Sequence, residues 1–297
     1  MCTRFYILPG SPSQELIAEK ARRSPVLKRF LLNKQADAPG RDFSGEISPA
    51  ESAASVLHSS GEIRPTDVVP VLAPDRNRNP EVYPMRWGFR LAGRGPKGQR
   101  GTIENRSMLV VNARVETAAQ KPSFRDAWLR HRCIVPASCY FEWNHFVDEK
   151  GRKKAGQKFA ICPGNALRMS EQLRAQTEIA MEKEENQYTL QNYLDGISPE
   201  THRLPAAAPV FPEGDFFRFL REQNLSDITW LCGLYRIEDG LPVFVVLTRE
   251  PGSELSQIHD RMPLILAQKD AFDWISPDAD PASFLSRSLT KMDFAPV

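Results

Sequence analysis

Apolar residues along this chain fall mostly into short runs bounded by Pro, Gly or Asn, with few long helical stripes. The runs Val68 to Leu72, Met85 to Arg90, Met108 to Val111, Ile134 to Pro136, Phe159 to Cys162, Trp230 to Arg236 and Val243 to Thr248 all have strand length. An opening strand over Phe5 to Leu8 precedes them, and Glu238-Asp239-Gly240 separates the last two as a hairpin turn. Helical periodicity appears over Gln14 to Arg23, Pro49 to His58, Met169 to Glu185 and Asp215 to Gln223. Between these lie a polar break at Asp37 to Ser44 and a proline-laden stretch from Ser198 to Pro212. The pattern predicts an α+β fold: a twisted, mainly antiparallel, barrel-like sheet core with peripheral helices, in one domain over residues 1–297. Ser11 to Ser60 reads as a surface elaboration, and residues 165–226 as a helical insertion into the sheet domain.

Composition narrows the class. With 41% hydrophobic and 26% charged residues the chain is neither disordered nor fibrous, and 24 prolines against 17 glycines favour many turns. Thirty-nine basic against 37 acidic residues leave a net charge of +2, so a polyanion would have to be met by a local patch. Two basic stretches offer one: Arg94, Lys97, Arg100 and Arg106, and then Lys150, Arg152, Lys153, Lys154 and Lys158. Five cysteines, at 2, 133, 139, 162 and 232, form no Cys-x-x-Cys pair, which excludes a zinc knuckle and favours a reducing cytoplasm. The first residues are too quickly broken by charge and proline for a signal peptide, and no apolar run approaches the roughly 20 residues of a bilayer span. The mature chain is therefore expected to begin near Cys2, as a monomer away from membranes.

Gly93-x-Gly95-x-x-Gly98 matches a dinucleotide-binding string, but Pro96 lies inside it and no helix follows, so it reads as a basic loop. Glu142 and His259 have no third ligand at a metal-binding spacing. Neither metal nor cofactor is expected.

Cys2 carries the most chemistry. Removal of Met1 is favoured before a small side chain and would leave one residue bearing a free α-amine and a thiol. Reference pKa values of about 8 and 8.5 make both near-neutral nucleophiles. Against an aldehyde the amine can form a Schiff base, and the thiol can then close a five-membered thiazolidine ring. Glu142 lies between Phe141 and Trp143, where desolvation should raise its pKa and suit it to donate protons near neutrality.

Several blocks occur in order along the chain. They are Met1-Cys2-x-Arg4, Arg64-Pro65-Thr66, Arg86-Trp87-Gly88, Asn112-Ala113-Arg114, Arg132 to Trp143 and His259-Asp260-Arg261-Met262-Pro263. Together they closely resemble the SRAP family, the SOS-response-associated peptidases or abasic-site processing proteins. The resemblance implies recognition of abasic sites in single-stranded DNA and cross-linking through Cys2, with self-removal of Met1 accounting for the peptidase label. It also implies that Asn112 holds the cysteine, that Glu142 shuttles protons, and that His259 steadies the opened sugar. Arg4 and Arg114 would hold phosphates, Trp87 would stack on or wedge against a base, and Arg261 would contact phosphate or brace the His259 loop. Trp143 reads equally as core. Thr3 stands where the family usually has glycine, restricting the backbone beside the amine. Cys139 also replaces a common glycine and reads as a small buried side chain or a second thiol near the site.

Two other functions remain open on the residues alone. An N-terminal-nucleophile amidohydrolase of the glutamine amidotransferase kind would also use Cys2. A non-catalytic single-stranded DNA-binding module would use the arginines and tryptophans and leave Cys2 idle.

Overall fold

A computed structural model describes residues 2–36, 56–92, 107–164, 169–173, 175, 215–223 and 225–297. Its strands are β1 (Phe5–Ile7), β2 (Gly61–Ile63), β3 (Val68–Pro74), β4 (Pro80–Trp87), β5 (Phe89–Ala92), β6 (Ser107–Val110), β7 (Asn112–Arg114) and β8 (Arg132–Ala137). They continue with β9 (Cys139–Val147), β10 (Lys153–Cys162), β11 (Thr229–Glu238), β12 (Leu241–Arg249), β13 (Met262–Pro263), β14 (Ile265–Leu266) and β15 (Asp293–Pro296). Two N-terminal helices, α1 (Pro12–Arg22) and α2 (Pro25–Ala36), and short helices at Val115–Ala118, Arg125–Arg130, Asp215–Glu222 and Gln268–Trp274 surround them.

Five strands close on themselves in the order β3-β4-β12-β11-β8, with β8 pairing back to β3 through Leu72 and Ile134. A second sheet, in the order β15-β10-β9-β1-β2, lies against this barrel. Period-two alternation divides the strand residues between two packing layers. On β12, Val243, Val245 and Leu247 join the helices, while Phe244 and Val246 join Cys2, Phe5 and Tyr140 of the second sheet. Pairing is mainly antiparallel as expected, but β12 runs parallel to both β4 and β7. The β11–β12 hairpin turns at Asp239 and Gly240, with φ of 51° and 77°. Two successive positive φ values suit the twist of a tight hairpin.

One sequence expectation changes. The first part of Ser11 to Ser60 is not a surface elaboration: Ile17, Ala18 and Ala21 of α1 and Leu27 and Phe30 of α2 are buried, and α1 packs on β3 and β4. Ser11 caps α1 by accepting from the Gln14 N–H at 3.2 Å, and its hydroxyl donates to Asp227 at 2.6 Å. The helix expected over Pro49 to His58 lies mostly outside the described residues. The 165–226 stretch ends as part of the core, because Phe216, Phe217 and Leu220 are buried and Phe217 meets Phe272 edge-on. Residues 169–173 are helical, and most of the remainder lies outside the described residues. Among the described residues no helix is long and apolar enough to cross a membrane.

Candidate active site around Cys2

Strand β1 fixes the start of the chain. Phe5 pairs with Ile63 on one side and Tyr140 on the other, and the Phe141 N–H donates to the Arg4 carbonyl at 3.0 Å. This register carries Cys2 toward the part of β9 that holds Glu142. Cys2 has no exposed surface, and its thiol meets the Arg4 carbonyl at 3.5 Å. Burial pushes the thiol far above its usual pKa, with the Glu142 carboxylate adding to the effect. The near-neutral thiol expected from reference values is therefore corrected: in this state the sulfur stays protonated and needs a base to react.

Asn112 approaches from β7, whose parallel pairing beside Val246 of β12 presents it to the same region. Its amide donates to the Cys2 carbonyl at 2.8 Å. Glu142 is 3% exposed; desolvation raises its carboxyl from 4.5 to about 7, although the chain's terminal ammonium pulls it down. The direction is the one expected, but strand alternation turns Phe141 and Trp143 to the other face of β9, so the desolvation comes from the Cys2 side instead.

His259 follows a turn in which its N–H donates to the Leu255 carbonyl. Its Nε2 lies 3.9 Å from Glu142 Oε2. Desolvation holds the imidazole below its usual pKa. In the neutral form Nδ1 accepts the Arg261 N–H at 3.1 Å, which leaves Nε2–H toward Glu142. On protonation Nδ1–H would face Asp260, 2.8 Å away, although that carboxylate is well exposed and its pull is screened. The structure thus brings Cys2, Asn112, Glu142 and His259 together.

The four residues read as DNA contacts are placed less uniformly. Arg114 is exposed at the end of β7. Arg4 is partly exposed but engaged, contacting Glu62 at 3.2 Å and donating to the Thr3 carbonyl at 2.8 Å. Arg261 forms a fork on Glu116 with two contacts of 2.9 Å and donates to the Thr248 carbonyl at 2.6 Å. Desolvation pushes the Glu116 carboxyl up, but the Arg261 fork outweighs it and the group stays below its usual range. These contacts tie Arg261, two residues after His259, to Glu116 and to β12. Trp87 is fully buried, stacked on Phe244 with ring centroids 6.1 Å apart and donating to the Val111 carbonyl. As placed, it offers no ring face to a base, because closure of β4 against β12 encloses it.

Two neighbours of the site, Glu62 and His145, carried no signal in the sequence. Glu62 gathers Arg4, Arg64 at 3.4 Å and Lys158 at 2.7 Å. His145 meets the His259 ring with centroids 5.7 Å apart. Trp143 is half-buried, with the Lys158 ammonium 5.6 Å from its ring. Strand β9, which carries Trp143 and His145, was not among the strands expected from the sequence. Cys139 is buried with Phe141 and Cys162, in a different apolar cluster from Cys2. Of the basic stretches, 94–106 lies outside the described residues, and Arg152 pairs locally with Asp148. Among the described residues no group of three His, Cys, Asp or Glu side chains could hold a metal ion.

The model of the SOS response associated peptidase (SRAP) family matches residues 1–297. The chain belongs to this family. It is 22% identical over 238 residues to the abasic site processing protein YoqW of Bacillus subtilis strain 168, covering 80% of this chain and 75% of the relative. A further B. subtilis relative, abasic site processing protein YobE, is 22% identical over 236 residues, covering 80% and 77%. A crystal structure of a Bacteroides thetaiotaomicron protein superposes with a TM-score of 0.50 at 18% identity, covering 99% of this chain and 91% of that one. That likeness concerns the fold.

Proposed function

We propose that this protein processes abasic sites in single-stranded DNA by linking itself to them through Cys2. The observation that carries this reading is the convergence on Cys2 of an amide that grips its carbonyl and a buried acid facing an imidazole. The names of its relatives support the substrate class.

Hydrolysis of the Met1–Cys2 peptide bond, by the protein itself or by an aminopeptidase, frees the Cys2 α-amine. The amine adds to the C1′ aldehyde of the ring-opened sugar. Glu142, its pKa raised by burial, gives a proton to the departing hydroxyl, and water leaves an imine. The thiol then adds to the imine carbon: the S–C1′ bond forms, the C=N π pair moves to nitrogen, and the thiol proton ends on nitrogen. The thiazolidine product has lost one water overall. Asn112 sets the Cys2 backbone so that nitrogen and sulfur reach one carbon in turn. His259 returns protons to Glu142 and steadies the opened sugar. Arg4 and Arg114 hold flanking phosphates, and Arg261 keeps the His259 loop in place. Hydrolysis or β-elimination at the imine releases the DNA, and the protein acts as a cytoplasmic monomer.

Cys2→Ser tests the order of events, because it keeps the amine and loses the sulfur. Wild type should form a link to an abasic oligonucleotide without reductant, whereas Cys2→Ser should form one only when borohydride is present. A wild type that forms no link, or a Cys2→Ser protein linking fully without reductant, would refute the proposal.

A further inference from the structure

Tyr140 is completely buried, yet its phenolic oxygen has no hydrogen-bond partner. Leaving a buried hydroxyl unsatisfied is costly, and folded proteins keep few such groups. Its position is specific. Tyr140 precedes Glu142 by two residues on β9, so strand alternation puts both on one face. It pairs with Phe5 of β1 and shares an apolar cluster with Cys2. The carbonyl oxygen of the Asn112 side chain, whose amide holds Cys2, is likewise buried and unpartnered. A donor and an acceptor are therefore both left open around one residue, as in a site built for a polar group it receives later.

We propose that Tyr140 is a further residue of the linking reaction, its phenol donating a hydrogen bond to the Cys2 sulfur while the thiazolidine ring closes. This rests on the reading of Cys2 given above. In the resting chain the thiol faces only the Arg4 carbonyl, at a distance typical of a weak contact. When the sulfur turns toward the imine carbon, negative charge builds on it before its proton reaches nitrogen. The buried phenol, itself held protonated first of all by desolvation, keeps its O–H unpaired in the resting chain and free to turn toward that charge. Tyr140 keeps its own proton throughout. Imine formation involves no sulfur and draws nothing from it.

Tyr140→Phe removes one oxygen and separates the steps. Wild type and variant are mixed with a single-stranded oligonucleotide carrying one abasic site and quenched at intervals with and without borohydride. The reductant-trapped imine should form at the wild-type rate. The reductant-independent link should form at least about tenfold more slowly, with its pH profile displaced upward. The thermal midpoint should be equal or higher, since an unpartnered hydroxyl has gone. Ring closure at the wild-type rate, or an equal slowing of both steps, would overturn the proposal. A wild type that yields neither species would overturn the function beneath it.

Discussion

Glu142 carries the largest electrostatic consequence at the scale of single residues. Its carboxyl sits at about 7 in the fold against 4.5 for an unburied group, so folding favours the protonated form. That contribution to stability is complete below pH 4.5 and is lost as pH rises through about 7. The shift corresponds to roughly 3 kcal/mol. Wild type should therefore lose up to about that much stability relative to Glu142→Gln between pH 4.5 and 8.5, measured by denaturant unfolding. An unchanged difference would mean the carboxyl is well solvated. The same variant should form the DNA link at least about 100-fold more slowly and lose the fall in rate above pH 7. At Arg261 the fork on Glu116 also sets the His259 loop, so Arg261→Lys, which cannot reproduce two parallel contacts, should slow linking more than it weakens DNA binding. Equal losses in both would assign it to phosphate.

Elements explain what could be read in advance. Phe141, Glu142 and Trp143 lie on one strand, so their chemistry was visible as a local block, and the Asp239-Gly240 hairpin followed from turn chemistry. Pairings distant in sequence were not visible: β7 beside β12 is a parallel contact that no local pattern specifies. Trp87 looked available for stacking because a buried and an exposed tryptophan are spelled alike; only barrel closure distinguishes them. Helix α1 was read as part of a surface elaboration and α2 was not expected at all, yet both help cover one side of the barrel. Gly233 marks how tightly those strands meet: an added Cβ would lie 2.8 Å from the Val245 carbonyl oxygen and 2.9 Å from the Cys133 sulfur. Gly233→Ala should cost about 1–3 kcal/mol in denaturant unfolding. A neutral result would show that β11 can shift outward freely.

Across the whole molecule, Arg132 joins the barrel to the C-terminal segment through backbone carbonyls, with the Asp280 charge nearby. Its buried guanidinium donates to the carbonyls of Trp128, Leu129, Trp274, Ser276 and Ala279. Desolvation lowers its pKa, and the surrounding carbonyls replace the water it has lost. Arg132→Met should cost about 3–5 kcal/mol by denaturant unfolding, because five carbonyls lose their donor together. A loss under about 1 kcal/mol would show that water can take its place. The same long-range closure holds β1 between β2 and β9 and so brings the first residues of the chain to Glu142 and His259. Intact-mass spectrometry after incubation with an abasic single-stranded oligonucleotide, without reductant, tests that arrangement most directly. Wild type should gain the mass of the oligonucleotide less one water, and Cys2→Ala should gain nothing stable. An unshifted wild type, or an equally stable adduct on Cys2→Ala, would contradict it.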